Sequence, residues 1–351
     1  MHPDRVQLRD VLASGLLAPS AENKHDLRFQ VQAGSVRLLA TDQASWAAHP
    51  HRQLLALLSF GAVVENIALR SAQLGLDLTV SWLPQPGEPD VVADLRWTAT
   101  TAAADALCLA IAGRHTNRRF FRRGRLDAET LARLSAAAEA VPGAGLLWLD
   151  DKPGRSLALA AIRLAETERF RRRELHRELF GAVRFDKGWR QTTTEWLPPA
   201  ALEVEPPMRW PFALLRHWPL MRAANWLGAH QALGLRAGWL PCALAPHLGL
   251  VVATGQRDDL ATLKAGRAFQ RVWLAAAAEG LALQPMAAAT ALSVQTSGDG
   301  WVSASVKEQL QALLAAMCGA PGAQPYLLFR LGRADAPTVV TLRRPVDDYL
   351  V

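Results

Sequence analysis

The stretch VENIALRSAQLGLDL, Val64–Leu78, decides how the rest of the chain is read, because FQRVWLAAAAEGLAL, Phe269–Leu283, repeats its pattern 205 residues later. Leu69, Ala72, Gly75, Leu76 and Leu78 are matched by Leu274, Ala277, Gly280, Leu281 and Leu283. Phe60, Val63, Val64, Ile67 and Leu74 in one copy recur at the spacing of a helix face, as do Phe269, Val272, Trp273 and Ala276 in the other. Each run stops at a glycine followed by an apolar residue, a common helix C-terminus.

An opening helix repeats as well. Leu8–Pro19 (LRDVLASGLLAP) aligns with Leu131–Pro142 (LARLSAAAEAVP) at an offset of 123. A candidate strand follows each proline: Leu27–Val31 and Gly145–Leu149. Since the offset grows from 123 to 205, the second copy carries about 82 additional residues, spanning about 150–226. Each copy then reads helix, loop, strand, buried helix, strand. The closing strands are Leu78–Trp82 with Val91–Trp97, and Tyr326–Leu331; Leu78, Val80 and Trp82 alternate with polar residues as a half-buried strand does. The expected fold class is α+β, with helices on small sheets. Its two unequal halves, 1–108 and 109–351, would act like a fused dimer.

Composition narrows the class of protein. Half of the 351 residues are hydrophobic and 20% are charged, which excludes global disorder and allows a large core. A net charge of +7 suits an anionic ligand without requiring nucleic acid. Cys108, Cys242 and Cys318 lie far apart, which argues against a disulfide scaffold or a zinc site and fits a reducing cytoplasm. The acid Asp10 and the short apolar stretch Val11–Ala18 argue against a signal peptide. No run of about 18 uncharged apolar residues suggests a transmembrane helix. Trp210–Ala253 comes nearest, but Arg216, Arg222, Arg236 and four prolines interrupt it. The expectation there is a buried or lid-forming helical segment and no membrane contact.

The copies differ where chemistry would sit. Only the first has the loop Pro19-Ser20-Ala21-Glu22-Asn23-Lys24 between helix and strand. Only the second is preceded by Arg114–Arg125, with six arginines in twelve residues. In an extended segment Arg114, Thr116 and Arg118 project to one side, where guanidinium forks can converge on one anion. Spacing alone equally allows a solvated basic stretch or a nucleic-acid patch. Arg119, Arg122, Arg123 and Arg125 read as solvated or paired with acids such as Asp127 and Glu129. The Pro-Ser…Asn loop reads alone as an ordinary turn, or as a hydroxyl and an amide offered to a polar ligand. Each half holds what the other lacks, so one complete site needs both.

Together these residues resemble the nitroreductase-like flavoprotein superfamily. Ala18-Pro19-Ser20-Ala21-Glu22-Asn23 is similar to its flavin-contacting A-P-S-x-x-N loop. Arg114-His115-Thr116-Asn117-Arg118 resembles its phosphate-holding Arg-x-Ser-x-Arg segment, with threonine for serine. Gly280–Ala287 resembles its Gly-Leu-x-x-x-Pro segment along the flavin, and Arg343 or Arg344 its late phosphate-reaching arginine. The order resembles the twin, single-chain members, including the Acg-type proteins, whose halves form a pseudo-dimer.

The resemblance implies one FMN per chain, bound by Pro19, Ser20, Asn23, Arg114, Thr116, Arg118, Pro285, Met286, Ala287, Arg343 and Arg344. It favours FMN over a nucleic-acid partner. It implies NAD(P)H as donor and a nitroaromatic, quinone or similar small-molecule acceptor, with no side-chain acid, base or nucleophile required. Backbone N–H groups near Met286 or Ala287 would face flavin N5. The alternative is an FMN-binding or sequestering protein with little turnover, should the insertion form a closed lid. A chain that is its own pseudo-dimer is compatible with a monomer.

Smaller expectations complete the reading. Arg163–Arg184, with opposite charges at helical spacing, reads as an exposed helix. Glu65 and Asn66 read as a buried polar pair capping local backbone, and His49 and His51 as loop histidines. Gln270 and Arg271 would face the flavin or the lid.

Overall fold

The computed structural model describes residues 3–84, 87–298, 300–319 and 322–351. The first half opens with α1 (Arg5–Leu16), whose Asp4 cap and Gln7 satisfy each other's backbone N–H groups in a capping box. There follow β1 (Leu27–Gln32), β2 (Ser35–Ala40), α2 (Pro50–Gln73), β3 (Leu76–Trp82) and β4 (Val91–Ala99). The second half contains α3 (Ala128–Glu139), β5 (Ala144–Trp148), β6 (His247–Thr254), α10 (Asp259–Ala278), β7 (Ala282–Met286) and β8 (Ala323–Gly332). The sheets are antiparallel and share one topology: β1-β2-β4-β3 in the first, β5-β6-β8-β7 in the second. The architecture is the expected α+β, built twice.

The insertion is longer than expected and begins after β5. It holds α4 (Lys152–Arg171), α5 (Arg173–Gly181), α6 (Arg209–Leu214), α7 (Trp218–Trp226), α8 (Ala229–Gly234) and α9 (Leu240–Leu244), and so ends near residue 246 instead of 226. A smaller pair, α11 (Ala288–Val294) and α12 (Ala304–Cys318), separates β7 from β8. His247–Thr254, expected within the helical segment, is instead a central, almost wholly buried strand. A short apolar run buried on both faces has no alternation to reveal it. The charge-rich stretch is two helices broken at Arg172, and its acids are not exposed: Glu166 and Glu168 are buried and paired with Arg169, Arg171 and Arg172.

The halves meet along α2 and α10, and their contacts are reciprocal. A Cβ on Gly61 would collide with the carbonyl oxygen of Leu263; one on Gly266, at the same offset of 205, would collide with that of Leu58. Two glycines thus let the backbones touch, where any side chain would hold them apart. Further along, Glu65 pairs with Arg271 at 2.7 Å and Asn66 accepts from Gln270 at 2.7 Å. Under the same offset each pair is the other's counterpart, the self-complementary pattern of a two-fold contact. Glu65, Asn66, Gln270 and Arg271 therefore join the halves; the first two do not merely cap local backbone, and the last two do not face the site. Arg267 also binds Glu65, and Arg271 reaches Asp105. Both helices end at the expected left-handed glycines, Gly75 and Gly280.

Among the described residues α2 is the one helix long and apolar enough to cross a membrane, and 78% of its most apolar window is buried inside the protein. The chain's end returns to the first half. Leu350 bridges Phe29 of β1, and Tyr349 joins the core formed by α1, α2 and the first sheet.

Candidate functional site

The C-terminal end of α1 gathers the site. Its carbonyls at Leu16, Leu17 and Ala18 lack helical partners, and the helix dipole makes that end negative. Three distant segments donate to them. Arg343 donates to Leu16 O and Ala18 O, both at 2.9 Å, and Arg114 donates to Leu17 O at 2.8 Å. His25 Nε2 also donates to Leu16 O, at 3.0 Å, so the ring's proton sits on Nε2. One helix end therefore draws the proline–serine loop, the arginine segment and the C-terminal tail together.

These segments line a cavity of about 1150 Å³ between the halves. Of the residues expected in a site, Pro19, Ser20, Asn23, Arg114, Thr116, Arg118, Pro285, Met286, Ala287 and Arg343 all border it. Arg344 does not. It pairs with Asp348 at 2.9 Å and Glu195 at 3.9 Å on the outside. Thr116 is held by a parallel bridge to Leu283 of β7, which sets the arginine segment beside Pro285 and Met286. The other arginines face away, with partners different from those expected: Arg119 binds Glu203, Arg122 Asp335 and Arg125 Asp150.

The electrostatics of the cavity are lopsided. Among the described residues, Arg114, Arg118 and Arg343 have no carboxylate partner, although Arg114 is buried and the other two are half-buried where the cavity forms. Burial, and then the charge of Arg343, draws the Arg114 guanidinium down to about 9. Burial, with Arg169 adding to it, brings Arg118 to about 10. Burial likewise brings Arg343 to about 10. Arg114 stacks over Trp273 at 4.3 Å, and Arg118 reaches Ala201 O at 3.2 Å. Three buried polar atoms here have no hydrogen-bond partner: Ser20 Oγ, His25 Nδ1 and Arg114 Nε. Three cations drawn together, with orphaned polar atoms beside them, suit an anionic ligand.

Asn23 is committed elsewhere. Its amide donates to Trp196 O and Leu342 O, both at 3.3 Å, and its oxygen accepts from Arg343. It ties the loop to the insertion and the tail, so it positions Arg343 instead of offering a free amide. Backbone geometry supports this: Glu22 and Asn23 both take left-handed φ, near +58° and +60°.

Three wall residues escaped the sequence reading. Glu22, half-buried in the cavity, has its carboxyl raised to about 7 by burial, an effect that Arg169 opposes and Glu178 reinforces. Its place between Ser20 and Asn23 was the only available signal. His25 is kept neutral, lowered to about 3 by burial and then by Arg343. His51 is not in a loop. It lies in the first turn of α2, buried, bonded to Gln295 and, at 3.0 Å, to Glu178 of α5. Arg52 grips the same Glu178 at 2.6 Å, fastening the insertion over the cavity. Phe170, Leu175, Phe180, Phe212 and Leu215 then supply an apolar wall, as a lid would.

Fold and site define a two-half α+β protein with a cationic, partly apolar cavity at the interface between its halves. No family model matches the chain, and no curated protein does. Among solved structures it is similar to the FMN-dependent nitroreductase NfnB from Mycobacterium smegmatis in complex with NADPH, at 17% identity over 67% of this chain and 91% of that one, with a TM-score of 0.39. It is also similar to a nitroreductase with bound FMN from Bacteroides fragilis (12% identity, 69% and 95% covered, TM-score 0.34). A third is oxidized iodotyrosine deiodinase bound to FMN and 3-iodo-L-tyrosine (14% identity, 68% and 95% covered, TM-score 0.35).

Proposed function

We propose that the protein is an FMN-dependent oxidoreductase whose single flavin site spans the two halves of a pseudo-dimer. The observation that carries this reading is the trio of cavity-lining arginines without a carboxylate partner among the described residues, Arg114 buried and Arg118 and Arg343 half-buried, beside the orphaned Ser20 Oγ and Arg114 Nε. A dianionic phosphate satisfies both the charges and the open donors, because charge-assisted bonds to guanidinium are the strongest such a group can make. The sequence resemblance selects FMN among phosphate ligands.

Arg114, Arg118 and Arg343 would hold the phosphate, with Ser20 and Thr116 as hydroxyl donors. Pro285, Met286 and Ala287 would border the ring system. A bound FMN would supply the redox chemistry, with NAD(P)H as electron donor and a nitroaromatic, quinone or similar small molecule as acceptor. The cavity exceeds the usual 300–1,000 Å³ of a one-ligand pocket, leaving room for a second small molecule against the apolar wall. Glu22, with its carboxyl near 7, can hold a proton in this space at neutral pH.

Anaerobic addition of NADH or NADPH to the flavin-loaded protein tests the reading. Rapid bleaching, reversed by a nitroaromatic or quinone, is the expected result. Yellow colour that survives both nucleotides would instead support flavin sequestration, which the insertion's coverage of the cavity favours. A purified protein that takes up no FMN contradicts both.

A further inference from the structure

Helix α7, WPLMRAANW, has apolar residues on every side. Its inner face, Trp218 and Met221, packs with Phe170, Phe180 and Phe212. Its outer face is bare among the described residues: Trp226 is 88% exposed, the following Leu227 93%, and Leu220 is exposed too. Neighbouring α6 shows Trp210, 73% exposed, with Met208 just before it. An exposed apolar face of this kind marks an interaction surface. The sequence expectation of a buried segment therefore holds for the inner face only.

Charge selects the occupant. No acid occurs from Pro206 to Arg257, while Arg209, Arg216 and Arg222 punctuate the stretch 206–227. Arg216 and Arg222 are exposed and make no ion pair among the described residues. Nearby acids are already engaged, Glu205 by Arg236 and Asp186 by Arg184 and Lys187. A second copy of this face would oppose arginine to arginine, so self-association is disfavoured. Exposed tryptophan and leucine ringed by unpaired arginine matches an anionic bilayer interface, where the aromatic rings sit at headgroup depth and the cations meet phosphate.

We infer that the outer face of residues 206–227 seats this protein on an anionic membrane surface. The inference is independent of the flavin reading. It makes the membrane a partner, against the expectation from sequence, and the insertion the docking element.

Sedimentation with phosphatidylcholine vesicles, with and without one-third phosphatidylglycerol, tests it on the full chain. Binding to the anionic vesicles is expected, weakened by raised salt. Trp226→Glu with Leu227→Glu should cut partitioning at least about tenfold, and Arg216→Glu with Arg222→Glu about fivefold per site. All four are surface positions, and an unchanged melting temperature verifies the fold. Absent binding to anionic vesicles, or binding indifferent to both variant pairs, overturns the proposal. So does a dimer in light scattering that the Trp226→Glu, Leu227→Glu variant dissolves, since the face would then be a self-interface.

Discussion

Arg114 shows how much a single side chain can declare. Its guanidinium is buried on Trp273, with one bond to the end of α1 and its Nε unpartnered. Such a charge costs stability until an anion arrives. Replacing both Arg114 and Arg118 with alanine should therefore lower FMN affinity about 100-fold or more, measured by titrating the apo-protein. The apo melting temperature should hold or rise, because an uncompensated charge has been removed. Glu22 gives the pH prediction. Its carboxyl lies near 4.5 when unfolded and about 7 when folded, so the folded state holds an extra proton between those values. Stability contributed by Glu22 is full below pH 4.5 and is lost as pH rises through about 7. Glu22→Gln should flatten that decline, so that the variant melts above the wild type at pH 8. Were Glu22 the proton source for turnover, acceptor reduction would also fall as pH passes 7 in the wild type, and the same substitution would remove that inflection.

Elements carry the join between halves. Gly266→Ala drives a methyl into the Leu58 carbonyl, and α2 and α10 can accommodate it only by separating. A loss of about 3 kcal/mol is expected from the denaturation midpoint, with FMN binding weakened too, because the cavity spans the same boundary. Glu65→Ala should cost about 2 kcal/mol by leaving Arg267 without a carboxylate and Arg271 with Asp105 alone. At this scale the sequence was partly legible. The apolar spacing of Val64–Leu78 and Phe269–Leu283, and the glycine closing each, foretold both helices and their left-handed ends. Strands β2, β6 and β7 were missed. β6 is a continuous buried run with no period, and β7 includes Pro285, which reads as a strand breaker until it is found on the sheet edge.

Across the whole molecule, the cavity takes residues 19–25 from one half, 111–118 and 284–288 from the other, and 339–343 from the returning tail. The described residues form one such set, so released flavin should quantify at one per polypeptide; two would break the complementary-loss argument. The sequence alone determined that the chain is a duplicated α+β protein, since helical period and glycine position are local properties. It also singled out segments that the cavity brings together, because the proline–serine loop and the alternating arginines are short and contiguous. Only the tertiary structure decided that Arg343 and not Arg344 enters the cavity, that Asn23 is spent on positioning, and that α7 bares a tryptophan face. Those outcomes depend on which of two neighbouring side chains meets the α1 carbonyls, and on what packs against a helix from outside, and no pattern along one strand of sequence records either.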